Sequence, residues 1–133
     1  MIDIDHFKMI NDTHGHDVGD EAIRVISKVI KENIRESDIA IRFGGEEFLV
    51  LLYNCNEKYI AEVAMKIGQK FSKQKIKAKN TTFTKTLSVG ASIYPTDSDD
   101  IYTCIKFADI ALYSAKNSGR NKAVRFEAAL ANH

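Results

Sequence analysis

The feature that most constrains this chain is a short stretch, residues 42–52, in which two glycines separate two apolar segments. Apolar residues alternate with others before the glycines. A nearly continuous apolar run from Phe48 to Tyr53 follows them, as is typical of a strand buried on both faces. Gly44 and Gly45 predict a two-residue turn, because glycine adopts positive φ angles without steric cost. The stretch therefore predicts a β-hairpin.

Two adjacent carboxylates, Glu46 and Glu47, stand at the start of the second predicted strand. Because adjacent strand residues point to opposite faces, one carboxylate could face a cleft while the other supports it from behind. The missing side chains at Gly44 and Gly45 would also let a bulky ligand approach the backbone. A hairpin tip that two glutamates keep soluble is the structural alternative.

The composition predicts one ordinary globular domain, residues 1–133. The sequence is 44% hydrophobic and 28% charged, with a net charge of +1, which suffices for one core and argues against non-specific nucleic-acid binding. Cys55 and Cys104 lack a CxxC spacing, so we expect reduced thiols in a cytoplasmic protein. We expect no membrane segment and no signal peptide, because no apolar run has the required length and flanks.

Periodicity predicts the order βαββαβαβ, an α/β fold with helices packed on a mixed sheet. Predicted strands cover residues 1–5, 39–43, 48–53, 83–93 and 123–126, and predicted helices cover residues 21–36, 57–74 and 99–117. Asp20 is placed to cap the first helix, and Gly119 is a candidate for the C′ position after the last. Ile101 is expected to face the core. Residues 6–19 predict a short turn or helix and then a polar loop.

Carboxylates at two predicted strand ends indicate a candidate cation site. Asp3 and Asp5 end the first strand, and if that strand neighbours the hairpin, Asp3 and Glu46 could share a hard cation. Mg²⁺ takes a few oxygen ligands and leaves room for substrate phosphates, so the carbonyl of Ile4 would suit as a further ligand. A solvated strand end is the alternative. At residues 14–17, His-Gly-His-Asp, we expect hydrogen bonds that stabilise a loop rather than a transition-metal site.

Several basic and polar residues have the chemistry to bind a nucleotide. Lys8, Lys116 and Arg120 would neutralise a triphosphate, although cations near a helix C-terminus also complement the helix dipole. Asn11 and Asp20 would read a purine edge, because an amide donates and accepts hydrogen bonds and a carboxylate accepts them. A capping role for Asp20 is compatible with that reading.

Taken together, these residues resemble the GGDEF domains, the bacterial diguanylate cyclases. Residues 42–48 match the signature in its GGEEF form. The other matching segments, in order, are residues 3–8, 10–12, 15–16, 19–20, 87–90, 108–113 and 115–121. The resemblance spans nearly the whole chain at consistent spacings. It implies a fold like the nucleotidyl-cyclase palm, with helices flanking a mixed central sheet, but without the N-terminal helix and most of the first strand that family members usually carry.

The resemblance implies that two GTP molecules condense to cyclic di-GMP with release of pyrophosphate, one GTP being held by each subunit of a homodimer. It implies Mg²⁺, or Mn²⁺, at Asp3, Glu46, Glu47 and the carbonyl of Ile4. Glu46 would also be the base that deprotonates the attacking 3′-hydroxyl, and Lys8 would assist catalysis at the phosphates. The implied substrate-binding residues are Asn11, Asp20, Gly44, Gly45, Lys116 and Arg120. An upstream sensor domain is a further implied partner.

A second site is implied by Arg35 and Asp38, which match the family's RxxD product-inhibition motif. An arginine fork can grip phosphate and guanine edges, so the match implies feedback binding of cyclic di-GMP. Gly68 stands where many relatives carry an assisting arginine, so the site would be weaker or would rely on Lys66 or Lys70. An arginine at a helix end beside a loop aspartate is the structural alternative.

Two other functions stay open from the sequence. One is a truncated, catalytically weak module that binds GTP or cyclic di-GMP as a receptor or regulatory domain. The other is a polymerase-like nucleotidyltransferase that acts on another nucleotide.

Overall fold

A computed structural model describes residues 1–132. Its strands are β1 (Ile2–Ile4), β2 (Ile39–Gly44), β3 (Glu47–Leu51), β4 (Ile76–Lys77), β5 (Thr82–Phe83), β6 (Leu87–Ala91) and β7 (Lys122–Arg125). Its helices are α1 (Phe7–His14), α2 (His16–Glu32), α3 (Glu57–Ser72) and α4 (Ile101–Asn117), followed by a 3-10 segment at Ala128–Asn132. None of the helices in this part of the chain is both long enough and apolar enough to cross a membrane.

The described residues form a mixed sheet in the order β2-β3-β1-β6-β7 and a separate hairpin of β4 and β5. β1 lies in the centre and pairs antiparallel with both β3 and β6, whereas β6 and β7 run parallel. The prediction of a mixed sheet flanked by helices is therefore confirmed. The central position of β1 matters for the site, because its residues have strand neighbours on both sides.

The helices cover the two faces of the sheet unequally. α2 and α3 bury their apolar stripes against one face, and α4 packs on the other. The larger core includes Ile2, Ile4, Ala22, Ile26, Ile30, Phe48, Ile67, Phe71, Leu87 and Val89. The smaller core contains Met1, Leu49, Ala108 and Leu112. Because neighbouring strand residues point to opposite faces, Ile2 and Ile4 enter the larger core while Asp3 points towards α4.

The segment predicted as a polar loop is mostly helical. Helix α2 begins at His16, directly after Gly15 with φ 90°, so the prediction of a helix over residues 21–36 was wrong at both ends. Asp20 is not the N-cap, because it lies within α2 past its first turn. A single glycine with a positive φ suffices to separate α1 from α2, and the polar residues around it occupy the exposed side of both helices.

The hairpin turn lies one residue later than predicted. β2 continues through Gly44, the turn is formed by Gly45 and Glu46, and Gly45 has φ 50°. A register shift between Arg42 and Gly44 absorbs the difference. Only the start of β3 is buried on both faces, at Phe48 and Leu49, because β2 is an edge strand with little cover.

Further along the chain, three predictions meet the structure with different results. The strand predicted over residues 83–93 is two strands, β5 and β6, because residues 84–86 between them are not part of a strand.

Ile101 is 41% exposed, so its predicted core position was wrong. It is the first residue of α4 and faces solvent, next to the capping carboxylate of Asp100. Gly119 follows the C-cap residue of α4 with φ 116°, and the N–H of Arg120 donates to the carbonyl of Ala115 at 2.9 Å. The C′ role of Gly119 is confirmed.

Candidate active site

The pairing of β1 with β3 brings the acidic strand ends together. Asp3 lies directly opposite Glu47 in the antiparallel register, and Glu46 occupies the turn just before it. Both glutamates are half-buried, and both contribute to the electrostatic potential at Asp3. The strand tips that the sequence could only assume to be neighbours therefore do meet.

Asp3 is the most constrained of these carboxylates. It is 2% exposed; its Oδ2 pairs with the ammonium of Lys116 from α4, and its Oδ1 is buried without a hydrogen-bond partner among residues 1–132. Burial raises the pKa of Asp3 to about 6, Lys116 opposes that shift, and the charges of Glu46 and Glu47 add to it. A buried, partly unsatisfied carboxylate beside two others needs more positive charge than one lysine supplies.

Lys116 responds to the same surroundings. Burial by itself would lower the pKa of Lys116, but the hydrogen bond and charge of Asp3, with the two glutamates, raise it above its usual value. The lysine is therefore held as a cation beside Asp3, Glu46 and Glu47, which together form the acidic cluster. Its position in the last turn of α4 depends on how closely that helix packs on β6.

The acidic cluster fits a hard cation only if backbone or ligand oxygens complete the coordination. Within residues 1–132, no three His, Cys, Asp or Glu side chains are placed to hold one ion, and this includes the histidines at 14 and 16. The orphaned Oδ1 of Asp3 and the carboxylate of Glu46 are hard oxygen donors. Mg²⁺ binds through one or two carboxylates and fills its other positions with water and phosphate oxygens, so these donors fit it.

The two predicted base readers lie at the junction of α1 and α2. The Asn11 amide lies directly against Gly19, where a Cβ would overlap its Oδ1. Only glycine at position 19 permits this packing. The contact brings the Asn11 amide against the residue that immediately precedes Asp20 in α2. The Oδ1 of Asn11 is buried without a partner in the described part of the chain, while Asp20 is exposed. A buried acceptor without a partner is uncommon in folded proteins, and the Oδ1 of Asn33 is a second one in the same part of the chain.

The remaining predicted substrate residues all occupy exposed positions. Lys8 lies in the first turn of α1, and Arg120 lies in the turn after α4. Neither forms an ion pair within residues 1–132. At Gly44 and Gly45 a Cβ would meet no described atom within 4 Å, so a ligand can reach the hairpin backbone.

Arg35 and Asp38 form a compact unit at the opposite end of β2. Asp38 accepts hydrogen bonds from Arg35 Nε at 3.1 Å, from Arg35 Nη2 at 2.9 Å and from the Tyr53 N–H at 2.9 Å. The Arg35 bond is the main reason that the pKa of Asp38 lies below its usual value. The guanidinium also stacks on Tyr59, 4.6 Å from the ring centroid. The unit lies a strand length, roughly 20 Å, from the hairpin turn.

Sequence reasoning missed a further residue of this region, Asp5. It was considered only as a second strand-end carboxylate, yet it is 3% exposed and accepts hydrogen bonds from β6 and from the turn after α4. The available signal was the two-residue spacing between Asp3 and Asp5, because strand residues two positions apart point to the same face of the sheet.

Comparison with known proteins identifies the family to which this chain belongs. The family model described as "Diguanylate cyclase, GGDEF domain" matches residues 1–122. The chain is 40% identical over 131 residues to the diguanylate cyclase DosC of Escherichia coli K12, covering 98% of this chain and 28% of DosC. It therefore spans less than a third of that relative.

Two solved structures are similar throughout. The GGDEF domain of YfiN from Pseudomonas aeruginosa superimposes with a TM-score of 0.93 at 32% identity, covering 98% of this chain and 77% of the other. The GGDEF domain of DgcB from Caulobacter crescentus, solved with cyclic di-GMP, gives a TM-score of 0.85 at 34% identity, covering 93% and 74%. By family model, sequence and fold, the chain belongs to the diguanylate cyclase GGDEF domain family.

Proposed function

We propose that this domain condenses two GTP molecules into cyclic di-GMP, with release of pyrophosphate, when two copies face each other. The observation that carries the proposal is the register of β1 and β3, which places the buried, partly unsatisfied Asp3 opposite Glu47 and beside Glu46. Membership of the family supports the reaction type, and the diguanylate cyclase activity of DosC supports the substrate.

Asp3, Glu46 and the carbonyl of Ile4 would hold Mg²⁺ or Mn²⁺, with the Glu47 carboxylate adding negative charge beside them. When bound, the ion neutralises phosphate charge and lowers the pKa of a coordinated hydroxyl. Lys116 engages Oδ2 of Asp3 and so leaves the orphaned Oδ1 free for a cation. Glu46, half-buried in the hairpin turn, would accept the proton of the attacking 3′-hydroxyl. Its place in the turn leaves it free to approach a substrate.

The phosphates would be held by lysine and arginine side chains. Phosphoryl transfer depends on positioning and charge neutralisation more than on covalent chemistry. Lys116 from α4 already pairs with Asp3, while Lys8 from α1 and Arg120 from the turn after α4 are exposed cations that form no ion pair within residues 1–132. Together they would neutralise the triphosphate and the leaving pyrophosphate, while the open backbone at Gly44 and Gly45 lets the substrate lie against the hairpin.

Asn11 and Asp20 would select guanine. The orphaned Oδ1 of Asn11 and the exposed carboxylate of Asp20 are acceptors, and guanine offers N–H donors on its Watson–Crick edge where adenine offers an acceptor. We expect Asn11→Ala and Asp20→Ala to raise KM for GTP more than they change kcat. Equal activity with ATP and GTP in the wild type would point instead to a nucleotidyltransferase of another specificity.

Two half-sites facing each other would convert an encounter of two nucleotides into an oriented reaction. A homodimer is therefore part of the proposal. Below the dimer dissociation constant, the rate of product formation should rise with the square of the protein concentration. A rate strictly proportional to protein concentration over that whole range would contradict the shared site.

The decisive experiment is turnover of GTP with Mg²⁺, followed by chromatography of cyclic di-GMP. Glu46→Gln should bind GTP with little change and lose turnover by about 10²-fold or more. Glu62→Gln is the matched control, because Glu62 is exposed on α3 away from the site, and it should keep full activity. A Glu46→Gln protein that still turns over GTP would remove Glu46 as the base.

We further propose that Arg35 and Asp38 bind cyclic di-GMP and restrain the enzyme. The crystal complex of the similar DgcB domain with cyclic di-GMP supports binding of this ligand. Here Arg35 is already held by Asp38 and stacked on Tyr59, so the fork is ordered before ligand arrives. Calorimetry should show weaker cyclic di-GMP binding for Arg35→Ala, and an unchanged affinity would reject the assignment. Introducing an arginine at Gly68 should tighten binding.

A binding module without turnover is the second candidate. The observation that favours it is the ion pair of Lys116 with Asp3, which already neutralises part of the charge that a metal would need. Saturable binding of GTP or cyclic di-GMP by a wild-type dimer that forms no product with either Mg²⁺ or Mn²⁺ would establish this candidate in place of the cyclase.

A further inference from the structure

Asp5 lies just beyond β1 and is buried, with 3% of its surface exposed. Its Oδ1 accepts from the Ser88 hydroxyl at 2.6 Å, and its Oδ2 accepts from the Thr86 hydroxyl at 2.6 Å and from the Asn121 N–H at 3.0 Å. Both carboxylate oxygens are therefore engaged by the protein. Asp5 is thus anchored within the protein through both oxygens, unlike Asp3, whose Oδ1 has no partner among residues 1–132.

The Asn121 N–H belongs to a strained turn between α4 and β7. Gly119, Arg120 and Asn121 have φ angles of 116°, 61° and 50°, so two residues with side chains occupy the left-handed region in succession. A backbone in this conformation persists only where surrounding contacts hold it in place, and such backbones are concentrated at functional sites. Here the Arg120 N–H is held by the Ala115 carbonyl of α4, and the Asn121 N–H is held by Asp5.

The strained turn carries Arg120 and directly follows the helix end that carries Lys116. Lys116 pairs with Asp3, and Asp3 lies opposite Ser88 in the register of β1 and β6. Ser88 in turn donates to Asp5. One buried carboxylate thus ties together β1, β6 and the turn. These are the elements from which Asp3 and Arg120 project.

We propose that Asp5 is a positioning residue that fixes the backbone of the Gly119–Asn121 turn and thereby the place of the Arg120 guanidinium relative to Asp3. The inference rests on the proposed function, because its consequence is tighter binding of the nucleotide triphosphate. Asp5 itself touches neither nucleotide nor ion. Its loss should therefore affect the recognition of phosphates and spare the recognition of the base.

The turn can be tested without nucleotide, by hydrogen exchange of the Asn121 amide. We expect Asp5→Ala to speed that exchange at least tenfold and Asp5→Asn, which keeps one acceptor oxygen, to speed it less. Ser88→Ala is the matched control, because it removes a donor to the other carboxylate oxygen and leaves the Asn121 bond; its exchange should stay within twofold of wild type. Unchanged exchange in Asp5→Ala would overturn the proposal. If that variant does not fold, the same comparison is made between Asp5→Asn and Ser88→Ala.

The consequence is tested by the affinity for a non-hydrolysable GTP analogue with Mg²⁺, beside that for guanosine. Asp5→Ala should weaken binding of the analogue at least fivefold and leave guanosine binding within twofold, with Asp5→Asn in between. In an Arg120→Ala background the further effect of Asp5→Ala should fall below twofold. Equal losses for both ligands, or a full loss in that background, would overturn the role of Asp5. A wild-type protein that binds neither ligand would instead overturn the proposed function, and the amide exchange would still report on the turn.

Discussion

Helix α4 passes directly against the backbone of Gly90 in β6, and this contact gives a sharp prediction for Gly90→Ala. A Cβ at this position would overlap the carbonyl oxygen of Ala108 and the nitrogen of Leu112, and would lie 2.8 Å from the Leu112 Cα, where ordinary contact begins at 3.4 Å. All these obstacles are backbone atoms of α4. No rotamer change can relieve the overlap, so the helix has to withdraw from the sheet.

The magnitude follows from that displacement. A withdrawal of about 1 Å forfeits a quarter to a half of the dispersion energy along the contact, and α4 contributes Ala108, Ala111, Leu112 and Ala115 to the buried interior. Overpacking against a rigid neighbour costs about 1–3 kcal/mol, and backbone obstacles place this case near 3 kcal/mol. With the usual entropy of unfolding per residue, that lowers Tm by roughly 10 °C. The same movement would carry Lys116 away from Asp3.

Thermal unfolding of Gly90→Ala beside Gly68→Ala provides the assay and its matched control. Gly68 lies in the interior of α3, and a Cβ there would meet no atom within 4 Å among residues 1–132. Alanine should therefore stabilise that helix by about 0.5–1 kcal/mol, a rise of roughly 2–4 °C. A Gly90→Ala protein that melts within 2 °C of wild type would refute the reasoning about the contact of α4 with β6.

Other predictions concern the larger core, a helix cap and the arginine–aspartate unit. Phe71 is fully buried, so Phe71→Ala should cost about 3–5 kcal/mol in chemical denaturation; a loss below about 1 kcal/mol would contradict its core position. The Asn56 side chain accepts from the Tyr59 N–H at 2.9 Å at the start of α3, so Asn56→Ala should cost about 1 kcal/mol and Asn56→Asp should be nearly neutral. Hydrogen bonding from Arg35 lowers the pKa of Asp38 in the folded state. The ionised Asp38 carboxylate therefore contributes its full stabilisation above about pH 4, the usual pKa of an unfolded Asp, and loses it as the pH falls through the lower pKa of the folded state. Urea unfolding of wild type and Asp38→Asn should thus give a free-energy difference that narrows between pH 7 and pH 3, and a difference that widens would show that the sign is wrong.

The periodic helices and the alternation of strands and helices along the chain could be predicted from the sequence because both depend on local pattern, whereas the sheet order β2-β3-β1-β6-β7 depends on pairing between distant segments. The stripe through Ile26 and Ile30 packs as its spacing indicates, and the termination of α4 follows from Gly119. The start of α2 could not be predicted, because the local sequence His-Gly-His-Asp favours a loop. It is the packing of α1 against α2 that stabilises the helix in this segment. Local propensity is weak enough for tertiary packing to override it.

The hairpin shows a different limit. Two consecutive glycines permit a turn centred on either one, and the register shift near Arg42 decides between them. That shift arises from the pairing of β2 with β3, and the sequence of the motif alone does not indicate it. The site was more predictable than the turn. Once β1 is assumed to pair with β3, Asp3 lies beside the glutamates. The hydrogen bond between Asp5 and Asn121, by contrast, joins residues 116 positions apart, and no local sequence pattern indicates it.

The central claim is that Asp3 and Glu46 hold one divalent ion against a triphosphate. The measurement that tests it most directly is a crystal structure with Mn²⁺ and a non-hydrolysable GTP analogue, with the ion located by anomalous scattering. The account predicts a single strong peak in direct contact with Oδ1 of Asp3, a carboxylate oxygen of Glu46 and the phosphates. A nucleotide bound with its metal away from these two carboxylates would contradict the account.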